Sequence, residues 1–135
     1  AAETVDAETI GARTLVLIVD DEQTVAQMTK DSIARLGHAA LTTTSASQAL
    51  ELVRARHGEI AHLVTDLNMP EMTGTDLAAA VKRIDPKIAV TLMSGRTPLA
   101  AEQAQPAIDH VLEKPVARAD LARVLRPQAP NGDAR

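Results

Sequence analysis

Thr14-Leu-Val-Leu-Ile-Val19, followed at once by Asp20-Asp21-Glu22, decides how the rest of this chain is read. A run that is apolar almost throughout has no polar face to turn to water. It suits a strand covered on both sides, as in a parallel sheet with helices above and below. The run stops abruptly on acids, so its carboxyl end delivers charge to one edge of the sheet.

Working outward, the same alternation repeats. Glu22 to Leu36 reads as a helix with Val25, Met28, Ile33 and Leu36 on one stripe, and Gly37 stands where a C-terminal cap belongs. A second strand, Ala39 to Thr43, precedes a helix from Ala46 to Arg56 that turns Ala49, Leu50 and Val53 inward. Strand three is Ala61 to Thr65, ending at Asp66, and helix three runs from Gly74 to Ile84, where Asp85-Pro86 stops it. Strand four is Ile88 to Met93, ending at Ser94. Pro98 and Pro106 bracket a short fourth helix. Ala107 to Leu112 is strand five and Ala117 to Leu125 the last helix. Five βα units of this kind predict an α/β, doubly wound parallel sheet.

Composition narrows the function. At 135 residues, 45% hydrophobic and 24% charged, the chain suits one globular domain. Its net charge of −4 gives no basic face for nucleic acid or an anionic membrane. No Cys is present, which excludes a disulfide framework, a thiolate metal site and a cysteine nucleophile. No apolar run approaches the roughly 18 residues of a membrane span and no leader pattern opens the chain, so the expected location is cytoplasmic. The chain has no Phe, Tyr or Trp, which leaves Leu, Val, Ile, Met and Ala to fill the core. Residues 1–13 read as a flexible segment or linker, 14–126 as the domain, and 127–135 as a disordered tail.

Ligands of open parallel sheets sit beyond the carboxyl ends of the strands. Read together, those ends offer Asp20 and Asp21, then Asp66, Ser94 and Lys114. Three carboxylates held close repel one another, and a divalent cation relieves that repulsion. Mg²⁺ suits the set best, because it takes one or two carboxylates, several waters and a phosphate oxygen. The scattered His38, His57, His62 and His110 give zinc or iron little support. A carboxylate nucleophile with a metal, an ammonium and a hydroxyl is an inventory for phosphoryl transfer. Asp66 is the favoured nucleophile because it stands singly, whereas Asp20 and Asp21 form a pair.

These residues resemble the response-regulator receiver family. The matching pieces are Val19-Asp20-Asp21-Glu22, Thr65-Asp66-Leu67-Asn68-Met69-Pro70 with Gly74, Met93-Ser94-Gly95, and Glu113-Lys114-Pro115. Asp66 follows Asp21 by 45 residues, Ser94 follows Asp66 by 28, and Lys114 follows Ser94 by 20. The resemblance implies a flavodoxin-like (βα)5 domain with strands in the order 2-1-3-4-5. It implies Asp66 as phosphoacceptor, with Asp21 on Mg²⁺ directly and Asp20 partly through water. Asn68 would give its backbone carbonyl to the metal, and Ser94 and Lys114 would hold the phosphoryl oxygens. Gly95 would be small so that the phosphodonor can approach, Asn68 and Arg96 would tune dephosphorylation, and the Lys114-Pro115 bond would be cis. The donor would be a histidine kinase or a histidine phosphotransfer domain, the chain would act as a switch rather than as an enzyme, and its output partner is not specified.

One departure matters. The family often carries Tyr or Phe three residues before the lysine, where this chain has Val111, a β-branched and stiff residue. Val116 likewise stands where an aromatic is common. With the short fourth helix and Ser94-Gly95, these features resemble receiver modules attached to hybrid histidine kinases.

Plainer readings exist for each residue alone. Asp20-Asp21 suits a helix cap, Asp66 a turn before Met69-Pro70, Ser94-Gly95 a strand-ending turn, and Lys114 an ordinary surface. Their joint arrival at one sheet edge outweighs these. A phosphorylation-independent docking module is the alternative that Val111 keeps open. A haloacid-dehalogenase-type phosphohydrolase has a similar inventory, but there the nucleophile comes first and the paired acids late. A Rossmann nucleotide site needs glycines where this chain has Asp20-Asp21-Glu22.

Overall fold

The computed structural model of the chain describes residues 14–95 and 106–125. The apolar run that opens the reading forms β1 (Leu15–Val19), buried along its whole length. After it come α1 (Gln23–Arg35), β2 (Ala39–Thr43), α2 (Ala46–Arg56), a 3₁₀ turn at His57–Glu59, and β3 (Ile60–Asp66). Then follow α3 (Gly74–Ile84), β4 (Ala89–Ser94), β5 (His110–Glu113) and α4 (Arg118–Leu125). All five strands are parallel, in the order β2-β1-β3-β4-β5. This is the doubly wound sheet that the sequence predicts.

Two apolar layers sandwich the sheet. Leu15, Leu17 and Val19 of β1 join Ala49 and Val53 of α2 and Leu77 and Val81 of α3. The intervening Val16 and Ile18 join Ala26 and Ile33 of α1 and Leu121 and Val124 of α4. Leu17 and Ile18 lose all contact with solvent, and burying each such side chain contributes about 1.5–3 kcal/mol. Gly37, at φ 93°, ends α1: its N–H donates to the Ala34 carbonyl, and the His38 N–H donates to that of Ile33. These two bonds satisfy helix-end carbonyls that would otherwise lack a partner.

The stripe read on α1 needs correction. Met28 is 63% exposed, and the buried residues are Ala26, Thr29 and Ile33. The small Ala26 lets the helix sit close to the sheet. Thr29 is tolerated inside because its hydroxyl donates to the Val25 carbonyl at 2.9 Å. Strand five also starts later than predicted, at His110 rather than Ala107. The Asp109 side chain takes a ladder position instead, accepting the Val90 N–H at 2.7 Å while its own N–H donates to the Val90 carbonyl. Strand four starts at Ala89, one residue after Ile88, whose N–H turns back to the Asp85 carbonyl. The helix expected between Pro98 and Pro106, Arg96, and the segments 1–13 and 127–135 lie outside the described residues.

The register sets up the site. Val19 pairs with Thr65 across the β1–β3 seam, the switch point of the sheet. The next residue of each strand, Asp20 and Asp66, therefore emerges beside the other.

Candidate functional site

Asp20 leaves β1 with zero exposure. Its N–H continues the sheet by donating to the Thr43 carbonyl at 3.2 Å. One carboxylate oxygen accepts the Glu22 N–H at 2.9 Å, which turns the chain toward α1. The other oxygen accepts Lys114 Nζ at 3.0 Å. Asp21, one residue on, is exposed.

Asp66 ends β3, buried, with an oxygen 3.3 Å from Lys114 Nζ. The Asn68 backbone N–H also donates to its carboxylate. Desolvation raises the Asp66 pKa above the ordinary carboxylate value, Lys114 opposes this, and the Asp20 charge adds to it. Burial alone would lower the Lys114 ammonium. Its hydrogen bond and charge interaction with Asp20, followed by those with Asp66, instead hold it above the ordinary lysine value.

Ser94 closes β4 and is fully buried; its carbonyl accepts the Lys114 N–H at 2.7 Å, which carries the β4–β5 ladder up to the lysine. Gly95 is exposed, and a Cβ there would meet nothing among the described residues. Gly74 differs sharply: a Cβ would overlap the Asp66 carbonyl oxygen and the Leu92 side chain. The N-terminus of α3 thus sits directly against the backbone of Asp66. The Lys114-Pro115 peptide is cis. Val111 pairs with Leu92 and packs, half-buried, against the α2–α3 layer.

The fold therefore brings together Asp20, Asp21, Asp66 and Lys114, with Ser94 at the neighbouring strand end. One oxygen from each of the three acids lies within 4.8 Å of the others. Ligands on opposite sides of a Mg²⁺ ion stand about 4 Å apart. Three carboxylates against one ammonium leave two negative charges, two of the acids being buried. The donor set fits one hard divalent cation.

Reading the sequence missed the polar frame around these groups. Thr43 receives the Asp20 N–H, and Glu71 reaches from the loop after Asp66 to Ser45 and Ser47 at the start of α2. The first joins the backbones of two buried residues and the second joins exposed polar side chains across loops, and neither leaves a periodic trace in a sequence.

Comparisons with known proteins point to one family. The family model described as the response regulator receiver domain matches residues 16–126. The DNA-binding transcriptional regulator NtrC of Azospirillum brasilense is 30% identical over 82% of this chain and 23% of its own length. The autoinducer 1 sensor kinase/phosphatase LuxN of Vibrio harveyi is 28% identical over 82% of this chain and 13% of its own length. The chain thus spans less than a quarter of either relative. A receiver domain structure from Clostridium thermocellum superposes with a TM-score of 0.78 at 29% identity, covering 83% of this chain and 90% of that one. Another, from Methylobacillus flagellatus, gives 0.75 at 28% identity, covering 84% and 97%. The chain belongs to the response regulator receiver domain family.

Proposed function

We propose that this receiver domain accepts a phosphoryl group on Asp66, with Mg²⁺ bound, from a histidine kinase or a histidine phosphotransfer domain, and so switches the binding of a protein partner. The observation that carries the reading is the meeting of three strand ends: Lys114 Nζ lies 3.0 Å from Asp20 and 3.3 Å from Asp66.

Desolvation that makes the Asp66 carboxylate more basic also makes it the better nucleophile. An Asp66 oxygen attacks phosphorus; the new O–P bond forms as the P–N bond to the donor imidazole breaks. Lys114 holds one equatorial oxygen, and the Ser94 hydroxyl takes another. Gly95, which crowds none of the described residues, leaves room for the donor to approach. Asp20, Asp21, Asp66 and the Asn68 carbonyl would hold Mg²⁺, which when bound offsets carboxylate charge and binds a phosphoryl oxygen. The product carries added charge of about −1.5 to −2, taking phosphoserine as a guide, and that charge draws Ser94 and Lys114 toward it. The chemistry is self-directed transfer, and Arg96 with Asn68 sets how long the phosphoryl group stays.

The test is a mass gain of one phosphoryl group with acetyl phosphate. It should require Mg²⁺ and vanish in Asp66→Asn. A gain that survives in Asp66→Asn moves the site elsewhere, and multiple turnover of a small phosphoester would favour a phosphohydrolase.

Val111 favours a second reading. A stiff residue packed into the core cannot follow Ser94 as a swinging aromatic ring would. In a docking module, partner affinity would be the same with and without acetyl phosphate. Val111, Val116 and the likeness to LuxN support a place beside a kinase core, and the net charge of −4 supports a cytoplasmic domain that does not itself bind nucleic acid or membrane. No helix among the described residues is long and apolar enough to cross a membrane.

A further inference from the structure

Neither chemistry nor packing within its own loop explains Glu71. It lies midway between Asp66 and Ile84's helix, in the loop spanning 67–73, and its side chain is spent on a distant helix. One oxygen accepts the Ser45 hydroxyl at 3.1 Å and the Ser47 N–H at 3.2 Å. The other accepts the Ser47 hydroxyl at 3.1 Å, and the Ala46 N–H adds to the set. The N-terminus of α2 is thus closed twice: by Ser45, which accepts the Gln48 N–H, and by a carboxylate from 24–26 residues away. A carboxylate there also meets the positive end of the helix dipole.

The same β2–α2 turn touches the other side of the site. Thr43 accepts the Asp20 N–H through its carbonyl and the Ser45 N–H through its hydroxyl. One short turn, residues 43–47, therefore grips both loops that bring carboxylates to the site, while none of its residues belongs to the acidic cluster. The 67–73 loop is pinned at its ends, where the Leu67 N–H donates to the Met93 carbonyl and the Gly74 N–H to that of Leu67, both at 2.8 Å. Between those ends, the Asn68 N–H is held by the Asp66 carboxylate, and the residues after it by the packing of Met69 and Met72 and by Glu71. Two acidic loops repel each other, and a grip on both from outside adds to the β1–β3 register and the Lys114 bridge in holding their spacing.

We propose that Glu71 is a positioning residue: clasped to Ser45 and Ser47, it sets the distance of the Asn68 loop from Asp20 for ion and phosphoryl binding. The proposal deepens the receiver reading and rests on it.

The experiment measures Asp66 loading by acetyl phosphate against Mg²⁺ concentration, together with amide exchange at Asn68. Glu71→Ala should raise the Mg²⁺ needed for half-maximal loading about three- to tenfold. That is less than the 10–100-fold typical of groups bonded directly to metal ligands. Loading at saturating Mg²⁺ should stay near wild type, and Asn68 exchange should quicken. Glu71→Gln, which keeps an acceptor oxygen, should recover part of the loss. Ser45→Ala with Ser47→Ala should reproduce it, and all three together should add little. A Glu71→Ala protein that melts lower but loads with unchanged Mg²⁺ dependence reduces Glu71 to a helix cap and overturns the proposal alone. A wild type that never loads overturns the receiver reading and the clasp with it. Should Glu71→Ala fail to fold, Ser47→Ala alone carries the same comparison.

Discussion

The two ends of the sheet use the same three strands in opposite ways. At the carboxyl ends, β3, β4 and the residue after β5 present Asp66, Ser94 and Lys114. Four residues earlier on β3, three on β4 and four before Lys114, the same strands place His62, Thr91 and His110. At that lower end the polar groups settle their needs internally. His62 Nε2 lies 2.6 Å from the Thr91 hydroxyl, and its ring stacks 6.4 Å from that of His110. Burial, then the neighbouring His110, lower the His62 pKa to about 4, so it is neutral at physiological pH. The upper end keeps three acids against one lysine, with a residue of charge that the described protein groups do not cancel. The lesson is that a buried polar cluster is structural where it closes on itself and points to a ligand where it does not.

The sharpest way to break this comparison is acid, because the two ends titrate with opposite sign. The folded-state pKa of His62 lies below the unfolded value of 6.5. The unfolded chain therefore binds the extra proton first, and stability falls as pH drops from about 6.5 toward 4. The loss should reach about 3 kcal/mol. Neighbouring Asp109, Lys82, His110 and His38 act on the same group and set the detail of the curve. His62→Leu should flatten the slope of unfolding midpoint against pH. Asp66 has the opposite linkage: its folded pKa is raised above the unfolded value of 3.8, a cost at neutral pH that protonation relieves as the pH falls. Without Mg²⁺, Asp66→Asn should therefore raise the midpoint at pH 7, and that gain should shrink in acid. A loss of stability in Asp66→Asn would contradict the account of the upper end.

Smaller effects sharpen it. Gly74→Ala pushes a methyl group into the Asp66 carbonyl and Leu92. It should cost about 1–3 kcal/mol by overpacking and slow Asp66 loading, whereas Gly95→Ala, which meets nothing among the described residues, should leave stability alone. Smallest of all, Met28→Lys on the exposed face of α1 should change chemical-denaturation stability by less than about 0.5 kcal/mol. A larger loss would restore the stripe read from the sequence.

How much was legible follows from these particulars. Strands β1, β3 and β4 were readable because each is a largely apolar run that ends on or just before a polar residue, and the strand ends revealed Asp20, Asp66, Ser94 and Lys114. The inward face of α1 was not, because Ala26 and Thr29 carry the packing and neither stands out as apolar bulk. The start of β5 was hidden because an Asp109 carboxylate imitates a backbone acceptor. His62 was legible only as one of four scattered histidines, since its partner lies on another strand. The Glu71 clasp joins surface residues across two loops, and no local pattern records it.

The central claim is that the charge left over at the upper end is met by one divalent ion. Calorimetric titration of Mg²⁺ into the wild type and into Asp20→Asn tests it most directly. The account expects one ion per chain, bound at least tenfold more weakly by the variant, in line with loss of a ligand or its close support. No heat of binding in the wild type, or equal affinity in both proteins, would contradict it.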